Sequence, residues 1–251
     1  MGHDRAYRVQ TLLQILIGAG VAAGAVFLGV KVYGYATARA DYQTMAEAYT
    51  TAATPDTGAA GAAAPALDVD FAKLTAEVPG AAAWLQMDDL PISYPVMQPP
   101  DNDYYLTRAP DGSKKSGGSL FIDCANTGVD DAHLLIYGHH MQDGSMFGTL
   151  GKYKDEDFYK SGTGTFTLYT PGGARRYRIF SVQSIGDSGP VYTIGFGHDA
   201  EFQTFLDGVK AASLYDTGVP VSAARQVITL STCATVSGEG RLVVSAVETE
   251  E

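Results

Sequence analysis

Cysteine is scarce in this chain: Cys124 and Cys233 are the only two among 251 residues. Two thiols exclude a disulfide-dense scaffold and a thiolate metal cluster, and leave room for one bridge at most. Basic residues are also short, 17 Lys and Arg against 28 Asp and Glu, for a formal charge of −11. With no basic stripe interleaved with aromatics, that balance excludes nucleic acid as a partner. The five histidines offer little to a metal. His3, His133 and His198 have no cysteine or carboxylate companion at ligand spacing, so they read as surface or loop residues and no metal or cofactor is expected. The acidic clusters Asp130-Asp131 and Asp155-Glu156-Asp157 lack the ligand pattern of a calcium loop and read as solvated loop or helix-start charges.

Long apolar runs are equally few. One stands out, Thr11 to Val30, which carries no charge. About twenty residues at a helical rise of about 1.5 Å span the roughly 30 Å hydrocarbon layer of a bilayer. Arg5 and Arg8 precede it, and Lys31 and Arg39 follow it. The expectation is a single transmembrane helix with residues 1–10 cytoplasmic and the remainder outside. A cleaved signal peptide competes, with Ala38-Arg39-Ala40 as its small-x-small site, although the run exceeds the usual signal core of about 7 to 15 residues. Residues 31–69 read as a spacer: Ala36 to Tyr49 has helix propensity, and Thr51 to Pro65, rich in Ala, Gly and Pro, reads as a mobile linker. Residues 70–251 suffice for one domain with a substantial core.

Within that domain the period is mostly two. Strands are expected at Ser119–Asp123, His133–Tyr137, Thr165–Tyr169, Arg176–Ser184, Val227–Ser231 and Leu242–Val247, punctuated by Gly, Asp and Pro turns. Ala200 to Leu214 reads as a helix, with Phe202, Phe205, Leu206 and Val209 on one face and Asp199 as its cap. Residues 71–85, containing Phe71, Leu74, Val78 and Trp84, read as an N-terminal helical segment. The sum is a mainly β fold, a closed or nearly closed barrel with helices added.

The chemistry gathers at Thr229-Leu-Ser-Thr-Cys233, which ends one such run. A free thiol has a pKa of about 8.5, so a nucleophilic cysteine needs a base or an electropositive neighbour. Arg241 opens the next run across the turn Ser237-Gly-Glu-Gly240, which puts it at the same sheet end as Cys233, and its planar fork suits a substrate carbonyl or an oxyanion. Far upstream, Tyr137-Gly-His139-His140 supplies histidine for proton transfer. His139 is the favoured base, with His140 as the alternative because neighbours in a strand alternate faces. A cysteine in a strand is more often a small buried hydrophobe. A Cys124–Cys233 disulfide would consume the nucleophile, so the catalytic reading predicts a free Cys233 and a separate, packed Cys124.

These residues stand in an ordered set that resembles the sortases, and more closely the class B sortases of Gram-positive bacteria. The matching pieces are Ile92-Ser-Tyr-Pro-Val-Met97, Asp101-Asn-Asp-Tyr-Tyr-Leu106, Lys115-Ser-Gly-Gly-Ser-Leu-Phe-Ile-Asp123, Tyr137-Gly-His-His-Met141, Gly144-Ser-Met-Phe147, Thr229-Leu-Ser-Thr-Cys233 and Arg241-Leu-Val-Val244. The resemblance implies a barrel of about eight strands with Cys233 as nucleophile, His139 as acid and base, and Arg241 as carbonyl or oxyanion partner. It also implies that Asn102, Leu106, Tyr192 and Ser231 line the substrate groove. Ala234 departs from the pattern, since some relatives carry an acid after the nucleophile.

The activity implied is that of a membrane-anchored cysteine transpeptidase. It would cut the C-terminal sorting signal of exported proteins through a thioacyl-enzyme and pass the acyl group to a peptidoglycan or lipid II amine. A pilin lysine is the alternative acceptor. A plain cysteine protease and a noncatalytic extracellular peptide-binding β-barrel are the other readings.

Overall fold

The computed structural model describes Ile17, residues 19–26, Gly29 and residues 42–53, 66–233 and 239–249. Its apolar runs become ten described strands: β1 (Thr50–Ala52), β2 (Leu67–Val69), β3 (Ala81–Met87), β4 (Ser93–Met97), β5 (Leu120–Ile122), β6 (His133–Tyr137), β7 (Thr165–Thr170), β8 (Gly173–Ile185), β9 (Val227–Cys233) and β10 (Arg241–Glu248). Eight close into a barrel in the order β10-β8-β7-β3-β4-β5-β6-β9, while β1 and β2 pair separately. Closure leaves none of the eight with an unpaired edge. Two neighbouring pairs are parallel, β4 with β5 and β6 with β9.

The strand expected at His133–Tyr137 has those bounds, and the other five expected strands lie within a few residues of the observed ones. The helical reading of 71–85 is corrected. Helix α2 covers only Phe71–Glu77, with Asp70 accepting from the Lys73 N–H, and Val78 is its C-terminal cap. Pro79 and Gly80 break the chain there, and Ala81 to Met87 becomes β3. Its alanines and Trp84 suggest helix because neither face of β3 is polar: Ala83, Trp84 and Leu85 are fully buried. Leu74 of α2 and Tyr49 of helix α1 (residues 42–49) belong to the same apolar cluster as Trp84. Trp84 Nε1 donates to Ser93 Oγ on β4 at 2.9 Å.

Helices α3 (Glu156–Ser161) and α4 (Asp199–Ala211) complete the set. Asp155 caps α3 by accepting from the Asp157 N–H, in line with a helix-start acid. On α4 the cap is His198, not Asp199: its Nδ1 accepts from the Glu201 N–H at 3.1 Å. His198 has the extended backbone that a cap needs, and Asp199 is the first helical residue, where its charge favours the dipole. Phe202, Leu206 and Val209 pack with Phe180, Val227, Val243 and Val247 of the barrel. Each such side chain contributes about 1.5–3 kcal/mol by burial. Replacing His198 with alanine is expected to cost about 1 kcal/mol, read in a denaturant titration, and His198→Ser is expected to restore it. Equal stability of all three proteins would rule the cap out.

The chain divides into two compact units, Met1–Tyr42 and Gln43–Glu251. Part of α1 and the β1–β2 pair, which precede residue 70, therefore belong to the unit that holds the barrel. In the first unit residues 19–26 are helical and exposed. Among the described residues no helix is long and apolar enough to cross a membrane. Most of Thr11–Val30 outside 19–26, the segments 1–10 and 30–41 with Ala38-Arg39-Ala40, and linker residues 54–65 lie outside the described residues.

Candidate active site

Strand register explains how residues so far apart in sequence meet. β6 and β9 run parallel with Tyr137 paired to Ser231, and the Gly138 N–H continues the ladder by donating to the Ser231 carbonyl at 3.1 Å. Two residues beyond each partner stand His139 and Cys233, level at the same end. β10 then pairs antiparallel to β9 with Arg241 directly opposite Cys233. Directly opposed residues present their side chains on one face. Cys233 and Arg241 thus share one face of neighbouring strands, and His139, two residues past the end of β6, lines the same cleft.

Arg241 Nη1 donates to Cys233 Sγ at 3.0 Å. His139 Nε2 lies 2.6 Å from the Leu106 carbonyl. A carbonyl only accepts, so Nε2 carries the hydrogen and Nδ1 is the nitrogen available for proton transfer. His140 is committed otherwise: its Nδ1–H donates to the Cys233 carbonyl at 2.9 Å, and His139, not His140, lines the cleft. Gly138 leaves room for close packing here, since a Cβ would collide with Leu120 Cδ2 and come within 2.7 Å of Phe147 Cδ2. The Phe147 N–H closes the following turn onto the His139 carbonyl at 3.0 Å.

The cleft has a volume of about 330 Å³ and includes all seven residues singled out in the sequence: Asn102, Leu106, His139, Tyr192, Ser231, Cys233 and Arg241. Leu106 serves twice, its carbonyl orienting His139 and its residue lining the cleft. Asn102 Oδ1 accepts from the Cys124 N–H at 2.8 Å. Tyr192 comes from a 3₁₀ turn, Pro190–Tyr192, and its hydroxyl meets Ser231 Oγ at 2.9 Å. Burial raises the Tyr192 pKa above the ordinary phenol value.

Sequence reasoning missed Phe121, Tyr137, Thr232 and Asp187, which also line the cleft. Tyr137 was within reach of a period-two argument, because it precedes His139 by two residues. Its hydroxyl donates to Asp123 Oδ2 at 2.8 Å, its ring stacks on Tyr192 at 6.3 Å, and burial first, then Asp123, drives its pKa up. Asp187 follows β8 in a glycine-flanked loop with no pattern to mark it. Its carboxylate lies 3.8 Å from Arg241 Nη2 with 76% of the side chain exposed, a contact that contributes little stability.

Both cysteines are free, so Cys233 Sγ is not consumed in a bridge. The expectation of a packed Cys124 is corrected. It is exposed, just beyond the end of β5, where the strand gives way to the 123–126 turn. His133, expected at the surface, is 1% exposed on β6 because both ring nitrogens find partners inside.

Comparison with known proteins agrees with the closed barrel. The sortase domain family model matches residues 85–249. The chain is 37% identical over 178 residues to sortase B of Listeria monocytogenes, covering 70% of this chain and 71% of that protein. Sortase B from B. anthracis, solved in complex with AAEK1, superposes with a TM-score of 0.74 at 30% identity, covering 88% of this chain and 100% of that one. A sortase B solved in complex with triglycine superposes with a TM-score of 0.66 at 27% identity, covering 72% and 86%.

Proposed function

The chain belongs to the sortase family and is a sortase-type cysteine transpeptidase; from that premise we propose that Cys233, His139 and Arg241 carry the reaction at the outer face of a cell membrane. The observation that carries the assignment is the Arg241 Nη1 to Cys233 Sγ hydrogen bond of 3.0 Å, in the cleft that His139 also lines. In the first half-reaction the Cys233 thiol passes its proton to His139 as the sulfur adds to the scissile carbonyl of a C-terminal sorting signal. The Arg241 fork stabilises the oxyanion, and His139 protonates the leaving amine as the C–N bond breaks. The thioester then accepts an amine. His139 takes the proton of that amine, the new amide forms as the C–S bond breaks, and His139 returns the proton to the departing sulfur to restore the thiol.

The donor would be an exported protein and the acceptor a cell-wall amine on peptidoglycan or its lipid II precursor. That a similar enzyme is solved with triglycine supports an amine terminus as acceptor. The Thr11–Val30 run would hold the chain in the membrane, with residues 1–10 cytoplasmic, residues 31–69 as spacer and residues 70–251 outside. A formal charge of −11 is compatible with cationic acceptors.

The test is to incubate the full chain in membranes with a library of sorting-signal peptides and an oligoglycine or diamino acid acceptor, and to identify products by mass spectrometry. Amine-linked peptide is expected, and the enzyme is expected to stay in the membrane pellet through an alkaline carbonate wash. Peptide binding without cleavage would overturn the donor assignment, and release into the supernatant would overturn the anchor.

A further inference from the structure

His133 has no part in the reaction, yet it is a polar ring sunk into the barrel wall at 1% exposure. Its Nδ1 lies 2.8 Å from the Thr193 carbonyl and its Nε2 lies 2.9 Å from Thr229 Oγ1. Thr229 Oγ1 is in turn 2.8 Å from Ser245 Oγ. The carbonyl can only accept, so Nδ1 carries the hydrogen and Nε2 must accept. Thr229 then donates to Nε2, and Ser245 donates to Thr229. The hydrogen bonds run one way, from β10 through β9 and β6 to Thr193.

Burial beneath Phe205 and Phe196, whose rings lie 5.0 and 6.4 Å away, goes with this arrangement. It pushes the His133 pKa down to about 4, so at neutral pH the ring keeps the lone pair that accepts from Thr229. Burying an imidazole costs more than burying a leucine unless both nitrogens are satisfied. What the imidazole adds over leucine is a donor for a carbonyl outside the sheet. Thr193 closes the Pro190–Tyr192 turn, its N–H donating to the Pro190 carbonyl at 3.0 Å.

The turn is held at two consecutive residues. Thr193 is tied through His133 to Thr229, and Tyr192 bonds directly to Ser231. Thr229 and Ser231 are alternate residues of β9 on the way to Cys233.

We propose that His133 is a positioning residue that clamps the 190–193 turn onto β9 and thereby sets Tyr192 as a wall of the peptide cleft. This rests on the reading of the cleft as the sorting-signal site. Loss of the Nδ1–H to Thr193 bond frees the turn, weakens donor binding and leaves Cys233, His139 and Arg241 in place.

Two substitutions separate this role from general packing. His133→Asn keeps a donor where Nδ1 stands and gives up the Thr229 contact. His133→Gln keeps a polar atom near Nε2 and gives up the Thr193 contact. The full chain is assayed with the library peptide that acylates the wild type, recording donor KM, kcat and melting temperature for Asn, Gln and Leu variants. The Asn variant is expected within about twofold of wild-type KM, and the Gln and Leu variants about five- to tenfold above it with kcat little changed.

In a Tyr192→Ala background His133→Gln is expected to raise KM no further, since both changes act on one wall. Equal KM increases for Asn and Gln that follow their melting temperatures, or full additivity with Tyr192→Ala, would overturn the clamp. Unmoved KM in Gln and Leu would overturn it too. Failure of the wild type to be acylated by any peptide strikes instead at the reading of the cleft.

Discussion

Cys233→Ala is expected to remove both thioester formation and peptide cleavage, a loss of about 10⁴-fold or more, because in the proposed reaction every covalent step passes through one sulfur. The fold should tolerate it. Cys233 ends β9, is only partly buried, and contributes to the ladder through its backbone. Donor peptide should still bind, because Asn102, Leu106, Tyr192 and Ser231 are untouched and line the same cleft. The measurement is intact mass after incubation with donor peptide in the absence of acceptor. Wild-type protein should gain the acyl mass, and the alanine variant should not.

Cys124→Ala is the matching control and should react normally. Asn102 holds the Cys124 backbone N–H, not its sulfur, and that bond survives the change. An acyl adduct on Cys233→Ala that disappears in Cys124→Ala would move the nucleophile to the other thiol and end the assignment.

How much of this can be read in advance depends on the range of each interaction. β9 and β10 are apolar runs close together in sequence that pair antiparallel, so the shared sheet end of Cys233 and Arg241 is within reach of the sequence, and they are paired partners. His139 is different. Its approach to Cys233 needs the parallel β6–β9 pairing, and no local pattern specifies which distant strands of a barrel lie side by side. The ordered resemblance to sortases supplies that link, and it also supplies Asn102, Leu106, Tyr192 and Ser231.

The misreadings share a cause. Trp84 reads as helical because β3 is covered on both faces and shows no alternation. His133 reads as exposed because its partner Thr229 lies 96 residues away. Cys124 reads as packed because free cysteine is commonly buried, whereas here it stands exposed in the 123–126 turn. In each case tertiary contacts override a sound local preference.

The second large effect belongs to Arg241. Truncation to alanine should lower kcat/KM about 10²- to 10³-fold, the range expected on losing a principal oxyanion donor from a preorganised site. Most of the loss should fall on kcat, because the guanidinium reaches the sulfur in the resting enzyme and the oxyanion only as the tetrahedral species forms. Arg241→Lys should recover only part of it. The guanidinium places Nη1 on Cys233 Sγ at 3.0 Å while Nη2 faces Asp187 at 3.8 Å, and an ammonium has no rigid fork with which to hold two directions at once.

Asp187→Asn separates the two contacts. Its carboxylate is exposed and distant, so losing the charge should change kcat/KM by less than about threefold. Single-turnover acylation rates across Arg241→Ala, Arg241→Lys and Asp187→Asn supply the comparison. An Arg241→Ala enzyme with near wild-type acylation would show that the oxyanion is held elsewhere, by backbone N–H groups near Cys233. Restoration to wild type by lysine would show that a point charge suffices and that the planar geometry of the fork is incidental.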